Sequence, residues 1–463
     1  MSKRQVRLGV HFPGVNSTTV WSDPASGSQI DFQSFRHLAQ VAEANLLDFF
    51  FLAEGLRLRE HKGEIFDLDV VGRPDTLTVL SALAAVTEHL GLAGTINTTF
   101  NEPFDLARQF ASLDYLSGGR AAWNVVTSSD AFTGENFRRG GYLPHQDRYL
   151  RAAEVVEAAR ELWSAWPTGT TQTRRVVRQD TYATISGYPT VPATTESGPV
   201  IFQAGDSPAG RDFAAQYADV IFSLHTGFDA ARAFYDDAKS RLAAFGREPD
   251  ALAILPATSV VLGDSGAEAE EKAAYIRRQQ VSGPGAIAFL EQVWGVDLTS
   301  YDPEGPLPDI APNHSGASVT RGRVRHVTDP TELVRSWREL AELHGWSIRD
   351  LVIAVTSRNQ FTGTAQSVAA EIDHYVQERA TDGFILVPHL TPHGLDDTLT
   401  QLVPLLQERG SFRTQYTGNS LRENLNLPAR PLNARPQAAE PQAAEPQTAA
   451  SRPAPTKQQV EVR

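Results

Sequence analysis

The chain has 463 residues, of which 41% are hydrophobic and 21% charged, an ordinary composition for a globular protein with enough apolar residues for a large core. Its formal net charge of −13 argues against nucleic acid or an anionic membrane surface as a partner. Cysteine is absent, which excludes disulfides, a thiolate nucleophile and cysteine-ligated metal sites.

The chain begins MSKRQVRLGVHF, which lacks the apolar core and the small-residue cleavage site of a secretory signal. No apolar run reaches the roughly 18 residues that a membrane-spanning helix needs. We therefore expect a cytoplasmic protein.

Short apolar segments then alternate with segments of helical periodicity. The apolar segments show no polar face, which is typical of parallel strands covered by helices. Eight strand candidates are present, at 6–12, 48–54, 90–97, 120–126, 199–204, 219–224, 252–262 and 383–388. Eight such units predict an α/β fold, a (β/α)₈ TIM barrel whose active site lies at the carboxyl ends of the strands. A doubly wound open sheet is the alternative, but no GxGxxG follows the first strand.

Several connections are longer than a barrel loop needs, and they predict insertions. They cover 55–75, 129–147, 167–198 and, above all, roughly 264–380. We expect the last one to be a lid that selects the substrate. Its charged residues either recognise an anionic substrate or form a solvated loop; they are His314, Arg321, Arg323, Arg325 and His326.

The end of the chain differs in composition from the rest. Residues 427–463 repeat the unit PQAAE and are built mainly from Pro, Ala, Gln and Glu, with few large apolar side chains. Such a segment cannot bury enough surface to fold, so we expect a disordered tail after a single domain over 1–426.

Polar residues recur where the predicted strands end. The set comprises His11, Glu54, Asn97, Thr98, Thr99, Asn124, Thr127, Ser128, Gln203, His225 and His389. A barrel mouth is polar in any case, so each residue alone is compatible with an ordinary rim position. Their recurrence at strand after strand indicates a site, but not its chemistry.

Two motifs mark predicted helix starts. Gly205, Ser207 and Gly210 form A-G-x-S-x-x-G, whose free N–H groups favour a phosphate; Ser207 alternatively caps the helix, and both interpretations can hold together. His145 and Tyr149 are four residues apart and share a helix face, either as ligand contacts or as packing. No metal-ligand spacing and no GxSxG elbow is present, so we expect neither a metal ion nor a hydrolase triad.

Four longer stretches carry a family resemblance. They are DFFFLAE (48–54), VGRPDTLTVLSALAAVTEHLGLAGTINTTFNEPFDLARQFASLDYLSGGRAAWNVVTS (71–128), NFRRGGYLPHQDRYLRAAE (136–154) and PVIFQAGDSPAGRDFAAQYADVIF (199–222). In this order they resemble the bacterial luciferase-like FMN-dependent monooxygenases, in the branch that includes nitrilotriacetate and dibenzothiophene sulfone monooxygenases. The resemblance extends over roughly 6–410.

The resemblance implies a TIM-barrel enzyme that binds FMN as FMNH₂ and uses O₂ as co-substrate. It would insert one oxygen atom into a small organic substrate by way of a flavin C4a-(hydro)peroxide. A separate NAD(P)H-dependent flavin reductase would supply the FMNH₂, and the chain would form a homodimer or a homotetramer.

The resemblance also implies site residues. The cofactor-binding residues are Glu54 and Thr98 at the flavin ring, Asn124 and Ser128 at its edge and the ribityl chain, and His145, Tyr149, Gly205 and Ser207 around the phosphate. His11, at a strand end, is either the catalytic residue that steers a proton or a structural histidine. Trp21 and Phe100 are either walls of the substrate pocket or core residues.

Two alternative functions stay open at this point. One is an F420-dependent dehydrogenase of the same superfamily, which would not use oxygen. The other is a non-catalytic flavin-binding subunit. The blocks DFFFLAE and NVVTSSDAFTG favour the monooxygenase, and the intact AGDSPAG argues against a subunit without activity.

Overall fold

The computed structural model describes residues 3–13, 18–20, 22–65, 74–128, 131–137, 143–313, 320–321, 329–358 and 360–432. Eight parallel strands form a closed barrel in which each strand pairs with the next along the chain and the eighth pairs with the first. They are β1 (Arg7–His11), β2 (Phe49–Leu52), β3 (Gly91–Asn97), β4 (Ala121–Val126), β5 (Val200–Gln203), β6 (Val220–Ser223), β7 (Ala253–Thr258) and β8 (Gly383–Leu386). The predicted (β/α)₈ barrel and its eight strands are confirmed.

A helix follows each strand and covers the outside of the barrel. These helices are α1 (Phe32–Ala44), α2 (Thr76–Ala84), α3 (Pro103–Ser117), α4 (His145–Ser164), α5 (Pro208–Tyr217), α6 (Phe228–Ser240), α7 (Ala365–Gln377) and α8 (Asp396–Glu408). In the described part of the chain, no helix is both long and apolar enough to cross a membrane.

The turn between α3 and β4 shows how the sequence sets these boundaries. Proline at the start of α3 fits the first helical turn, where its missing N–H is not needed. The helix ends at Gly118 with φ 69°, and Gly119 follows with φ 92°. Only glycine adopts this left-handed conformation without strain, so the pair directs the chain from the helix into β4.

Both faces of the strands are buried, which explains why their sequences carry no polar face. On β4, Ala122 packs with side chains of the barrel interior, whereas Trp123 and Val125 pack against α3 and α4. Asn124 lies on the inward face near the end of the strand. Polar residues therefore begin only where the barrel opens.

The remaining elements are insertions and short connections. They are strands Glu60–His61, Glu64–Ile65, Val176–Gln179, Thr184–Gly187, Val260–Leu262, Thr320–Arg321 and Phe361–Gly363, helices Ala131–Gly134, Gly266–Gln280, Gly283–Trp294, Pro330–His344, Ile348–Thr356 and Leu421–Asn424, and 3₁₀ helices Arg241–Phe245 and Pro249–Ala251. Strand Val260–Leu262 pairs with Phe361–Gly363 outside the barrel. The predicted strand 252–262 is therefore two strands that belong to different sheets.

The insertion between β7 and α7 has a hydrophobic core of its own, in which Trp294 and Trp337 are buried. It is tied to the insertion after β2, because Lys62 Nζ lies 2.9 Å from Glu291 Oε1 and 2.7 Å from Asp297 Oδ1. Helix α7 packs against the outside of the barrel together with α1, α2 and α8, so the inserted segment is shorter than the predicted 264–380. Its role as a lid stays a prediction.

The segment after α8 closes the amino-terminal end of the barrel. Leu421, Leu425 and Leu427 pack with Phe49 in the barrel interior, and Leu432 is buried beside α4. The packed chain therefore continues to Leu432, beyond the predicted domain boundary at 426. Residues 433–463, the rest of the predicted tail, lie outside the described residues.

Buried Asp219 attaches this segment to the barrel. Its Oδ2 accepts hydrogen bonds from Arg422 Nη2 at 2.7 Å and from the Ile201 backbone N–H at 2.9 Å, and Arg430 Nη1 lies 3.5 Å from Oδ1. Burial by itself would raise the pKa of Asp219, but the neighbouring guanidinium groups outweigh it and hold the pKa below its usual range. The attachment is therefore present at neutral pH and is lost as the pH falls through the depressed pKa.

We expect Asp219→Ala to lower the free energy of unfolding by about 3–5 kcal/mol, because it leaves buried guanidinium groups without their counter-ion. The matched control is Asp212→Ala, which removes a largely exposed carboxylate that pairs with Arg241 and should cost about 1 kcal/mol or less. Urea unfolding at pH 7 measures both. Equal losses in the two variants would show that Asp219 does not hold the segment.

Candidate active site

A cavity of about 320 Å³ lies at the carboxyl ends of the strands, and we call it the barrel cavity. Each of the eight strands, or the loop directly after it, supplies at least one lining residue. In chain order these include His11, Phe51, Ala53, Glu54, Thr95, Asn124, Val126, Ala204, Gly205, Asp206, Phe222, Ser223, Leu224, Ala257 and Val387. Closure of the barrel therefore brings together residues that are up to hundreds of positions apart in the sequence.

Four of the residues predicted for the site line the barrel cavity, namely His11, Glu54, Asn124 and Gly205. Tyr149, from α4, reaches the same region. A Cβ added to Gly205 would lie 2.7 Å from the Tyr149 hydroxyl and would clash with the Gln203 amide nitrogen. The absence of a side chain at Gly205 thus leaves a small concave surface between β5 and α4.

Ser207 lies at the start of α5, where it acts as the helix cap. The backbone N–H of Gly210 donates to Ser207 Oγ at 3.1 Å, and Pro208 occupies the first turn. The capping interpretation is confirmed. The phosphate contact of Ser207 stays a prediction, and it is compatible with the cap because the hydroxyl can still donate its own proton.

Asp206, next to this cap, carries a negative charge at the rim of the barrel cavity. Its carboxylate lies 3.1 Å from His225 Nε2 and 2.9 Å from Arg211 Nη2. Burial raises the pKa of Asp206, but the hydrogen bonds and charges of His225 and Arg211 lower it further, so that the net shift is downward. The charge of Asp206 is therefore compensated locally.

Thr98, Phe100 and Ser128 were predicted for the site but do not line the barrel cavity. Thr98 is fully buried, and its carbonyl oxygen accepts a hydrogen bond of 2.6 Å from Arg151 Nε. Phe100 stacks on Phe137 with ring centroids 4.9 Å apart. Ser128 is half-buried, two residues beyond Val126. The first two shape the loop after β3 and do not form the cavity wall.

Other predicted residues fall outside what the structure describes. Trp21 lies outside the described residues, as do His314, Arg323, Arg325 and His326. His145 begins helix α4 and Arg321 lies in a short strand, but the side chains of these two residues are likewise not described. Their roles stay predictions.

Glu54 is a carboxylate of the cavity lining, and Asn97 holds it in place. Asn97 donates from its side-chain Nδ2 at 2.9 Å and from its backbone N–H at 3.2 Å, both to Glu54 Oε2. Burial raises the pKa of Glu54 from 4.5 to about 7, and the two bonds from Asn97 offset only part of that effect. The carboxyl group can therefore exchange a proton near neutral pH.

His11 lies in an aromatic wall. Its ring contacts Phe51 and Phe222 edge to face, with centroid distances of 5.5 and 6.1 Å, and it is 7% exposed. Phe222, like Thr95, was not predicted from the sequence. Thr95 lies two residues before Asn97 on β3 and so on the same face of the strand, which is the signal that would have identified it.

Two buried amide oxygens, one in the cavity lining and one next to the lining residues Ala204 and Gly205, have no hydrogen-bond donor among the described residues. They are Asn124 Oδ1 and Gln203 Oε1, and each residue is only 3% exposed. Asn124 Nδ2 donates to Thr95 Oγ1 at 2.9 Å, which fixes the orientation of the amide. Buried acceptors without partners are rare in folded proteins, and they indicate a ligand that donates hydrogen bonds.

Outside the barrel cavity, His37 and His393 share the carboxylate of Asp396, at 2.9 and 3.0 Å. The ligand atoms of these three residues lie within 4.8 Å of one another. The sequence spacing did not predict this group, because the residues come from α1 and from the start of α8. Two histidine–carboxylate pairs account for the contacts.

Comparison with known proteins gives a consistent result. The family model for luciferase-like monooxygenases matches residues 10–382. The chain is similar to N-acetyl-S-(2-succino)cysteine monooxygenase of Bacillus subtilis, at 35% identity over 93% of this chain and 98% of the relative. It is also similar to component A of nitrilotriacetate monooxygenase from Aminobacter aminovorans, at 33% identity over 92% and 95%. Among solved structures, a riboflavin lyase with modified FMN and riboflavin shows 27% identity and a TM-score of 0.72, over 91% of this chain and 96% of that one.

We expect Glu54→Gln to stabilise the protein more at pH 8 than at pH 5. In the wild-type protein, the pKa of Glu54 is higher in the folded than in the unfolded state, so the protonated carboxyl group stabilises the fold at pH values below the unfolded pKa. This stabilisation is lost as the pH rises towards 7, because the ionised carboxylate is then held in a partly buried place. We expect a difference between the two pH values of about 1–2 kcal/mol after solvent screening. Urea unfolding of both proteins measures it, with the exposed Glu248→Gln as control. If Glu54→Gln changed the free energy of unfolding by the same amount at pH 5 and at pH 8, the raised pKa of Glu54 would be contradicted.

Proposed function

Because the chain belongs to the luciferase-like monooxygenases, we propose that it is the oxygenase of a two-component flavin system. It takes FMNH₂ from a separate NAD(P)H-dependent flavin reductase and uses O₂ to insert one oxygen atom into a small organic substrate. The observation that carries the proposal is the barrel cavity, onto which all eight strands open. It has a glycine cradle at one side, the unpaired amide acceptor of Asn124 in its wall and that of Gln203 next to the cradle.

The residues present fit FMN. The isoalloxazine ring offers N–H donors on its edge, and Asn124 Oδ1 and Gln203 Oε1 are buried acceptors that lack them. Its flat apolar faces match the wall formed by Phe51 and Phe222. At the other end, Gly205, Ser207 and the Tyr149 hydroxyl form the cradle that would hold the phosphate, next to the amino terminus of α5.

The chemistry of oxygen activation belongs to the reduced flavin, when it is bound. The protein contributes a site from which water is excluded, since apolar side chains such as Phe51, Phe222 and Val387 line the barrel cavity. It contributes positioning through the amides of Asn124 and Gln203. Glu54 can hold or release a proton at its carboxyl oxygen near pH 7. His11 remains the predicted catalytic histidine.

The names of the relatives support a small organic substrate, because they specify N-acetyl-S-(2-succino)cysteine and nitrilotriacetate. A cytoplasmic location and a homodimeric or homotetrameric assembly are further predictions. The composition and the acidic net charge of −13 are compatible with both.

The central test mixes the purified protein and photoreduced FMN with oxygenated buffer in a stopped-flow instrument. We expect flavin reoxidation to slow to seconds relative to free FMNH₂, with little release of H₂O₂ once a turned-over substrate is present. Gly205→Val is the matched control, because its side chain fills the cradle and should restore the rate of free flavin. Preference for reduced F420 would instead support the dehydrogenase, and absence of any flavin binding would refute the enzyme.

A second test addresses the phosphate end. We expect Ser207→Ala to weaken FMN binding by about 1–2 kcal/mol through loss of one hydrogen bond to a charged group. The control is Ser282→Ala, since Ser282 caps helix Gly283–Trp294 in the same way and accepts a bond of 3.0 Å from the Gly285 N–H. Each variant loses one helix cap, about 1 kcal/mol of stability. Fluorescence titration should show weaker FMN binding only for Ser207→Ala, and equal affinity in both would contradict the assignment.

A further inference from the structure

A second, smaller cavity of about 60 Å³ adjoins the barrel cavity, and we call it the side pocket. The two share the lining residues Thr18, Ala257, Arg358 and Val387, so a single ligand can extend from one into the other. The side pocket lies between the end of β7 and two helices of the insertion, Gly266–Gln280 and Ile348–Thr356.

The lining of the side pocket is positively charged. It contains Arg277 and Arg358 and no carboxylate, in a chain whose net charge is −13. Arg277 makes neither a hydrogen bond nor an ion pair with any residue that the structure describes. It also lines a neighbouring cleft on the outer side, the outer cleft, to which Glu270 and Glu371 contribute, but it pairs with neither of these carboxylates. Most arginines elsewhere in a fold have a carboxylate or carbonyl partner, so a half-buried arginine without one is available for an anion.

A third donor points to the same kind of ligand. Gln360 lines the side pocket, and its Nε2 is buried without a hydrogen-bond acceptor in the described part of the chain. A buried donor left unsatisfied costs about 1–3 kcal/mol. An anion placed between Gln360 and Arg277 would remove that cost and would also pair with the guanidinium group.

The size of the side pocket restricts the ligand. Its volume of about 60 Å³ corresponds to roughly four water-sized groups. That space holds a carboxylate with one or two adjoining carbons. Beyond it lies an outer cleft of about 650 Å³ that shares Arg277, Arg358 and Gln360 with the side pocket. The proposed phosphate cradle of Gly205 and Ser207 lies at the end of β5, on a different side of the barrel mouth.

We propose that the side pocket binds a carboxylate of the substrate, while the part of the substrate that is oxidised lies in the barrel cavity. This assignment rests on the proposed function and specifies its substrate class: small organic molecules with an anionic carboxylate end. Arg277 and Gln360 are then specificity-determining residues. They contact the substrate away from the reacting atom and contribute mainly to its binding.

The test titrates succinate into the flavin-free protein by calorimetry, with neutral succinamide as the comparison ligand. We expect succinate to bind, succinamide not to bind, and Arg277→Gln to weaken succinate by about 10-fold or more through loss of a charge-assisted bond. Gln360→Leu should weaken it several-fold. Arg232→Gln, an exposed arginine on α6, removes the same charge elsewhere and should leave binding unchanged. Because Arg277 has no partner among the described residues, its replacement should leave the melting temperature unchanged.

Two results would overturn the proposal. One is absence of succinate binding by the wild-type protein, or equal binding by wild type and Arg277→Gln. The other is a loss of FMN affinity in Arg277→Gln with succinate binding intact, which would assign the side pocket to the flavin phosphate. Neither result bears on the proposed function, because the slow reoxidation of bound flavin that tests it is measured without any substrate.

Discussion

Closure of the parallel barrel is the constraint on which the rest of the structure depends. Each strand pairs with a neighbour on both sides, and both faces of each strand are covered, so polar side chains are confined to the strand ends. Because the strands are parallel, all their carboxyl ends open at the same mouth. His11 of β1 and Val387 after β8 therefore line one cavity although most of the chain separates them.

The two ends of the barrel differ in how they are packed. At the amino-terminal end, the segment around Leu421 and Leu425 fills the interior, and the buried carboxylate of Asp219 binds two arginines of that segment. At the carboxyl-terminal end, helices with their own core around Trp294 and Trp337 are added between β7 and α7. The first end is thus packed for stability, whereas the second leaves space bordered by helices that have a hydrophobic core of their own.

The cavity has few groups that would act as strong acids or bases, and this agrees with a flavin-dependent monooxygenase, in which the cofactor activates oxygen. What the chain supplies is an apolar wall, two amide acceptors without partners, and a carboxyl group whose pKa burial raises to about 7. The adjoining side pocket adds positive charge through Arg277, which does not line the barrel cavity, and through Arg358, which lines both. Recognition of the substrate and chemistry at the flavin are therefore assigned to different parts of the mouth.

The sequence by itself determined the barrel and four residues of the cavity wall, because strands buried on both faces leave apolar runs that end in polar residues such as Glu54 and Asn124. It also identified the cap at Ser207, since a helix start depends on a few adjacent residues. Only the tertiary structure showed that Thr98 carries its hydrogen bonds to α4 and β4 instead of facing the cavity, and that the chain packs as far as Leu432. It alone placed Arg277 and Gln360 beside the mouth. These features depend on which side chains meet across long separations in the chain, and local periodicity and turn signals carry no information about such contacts.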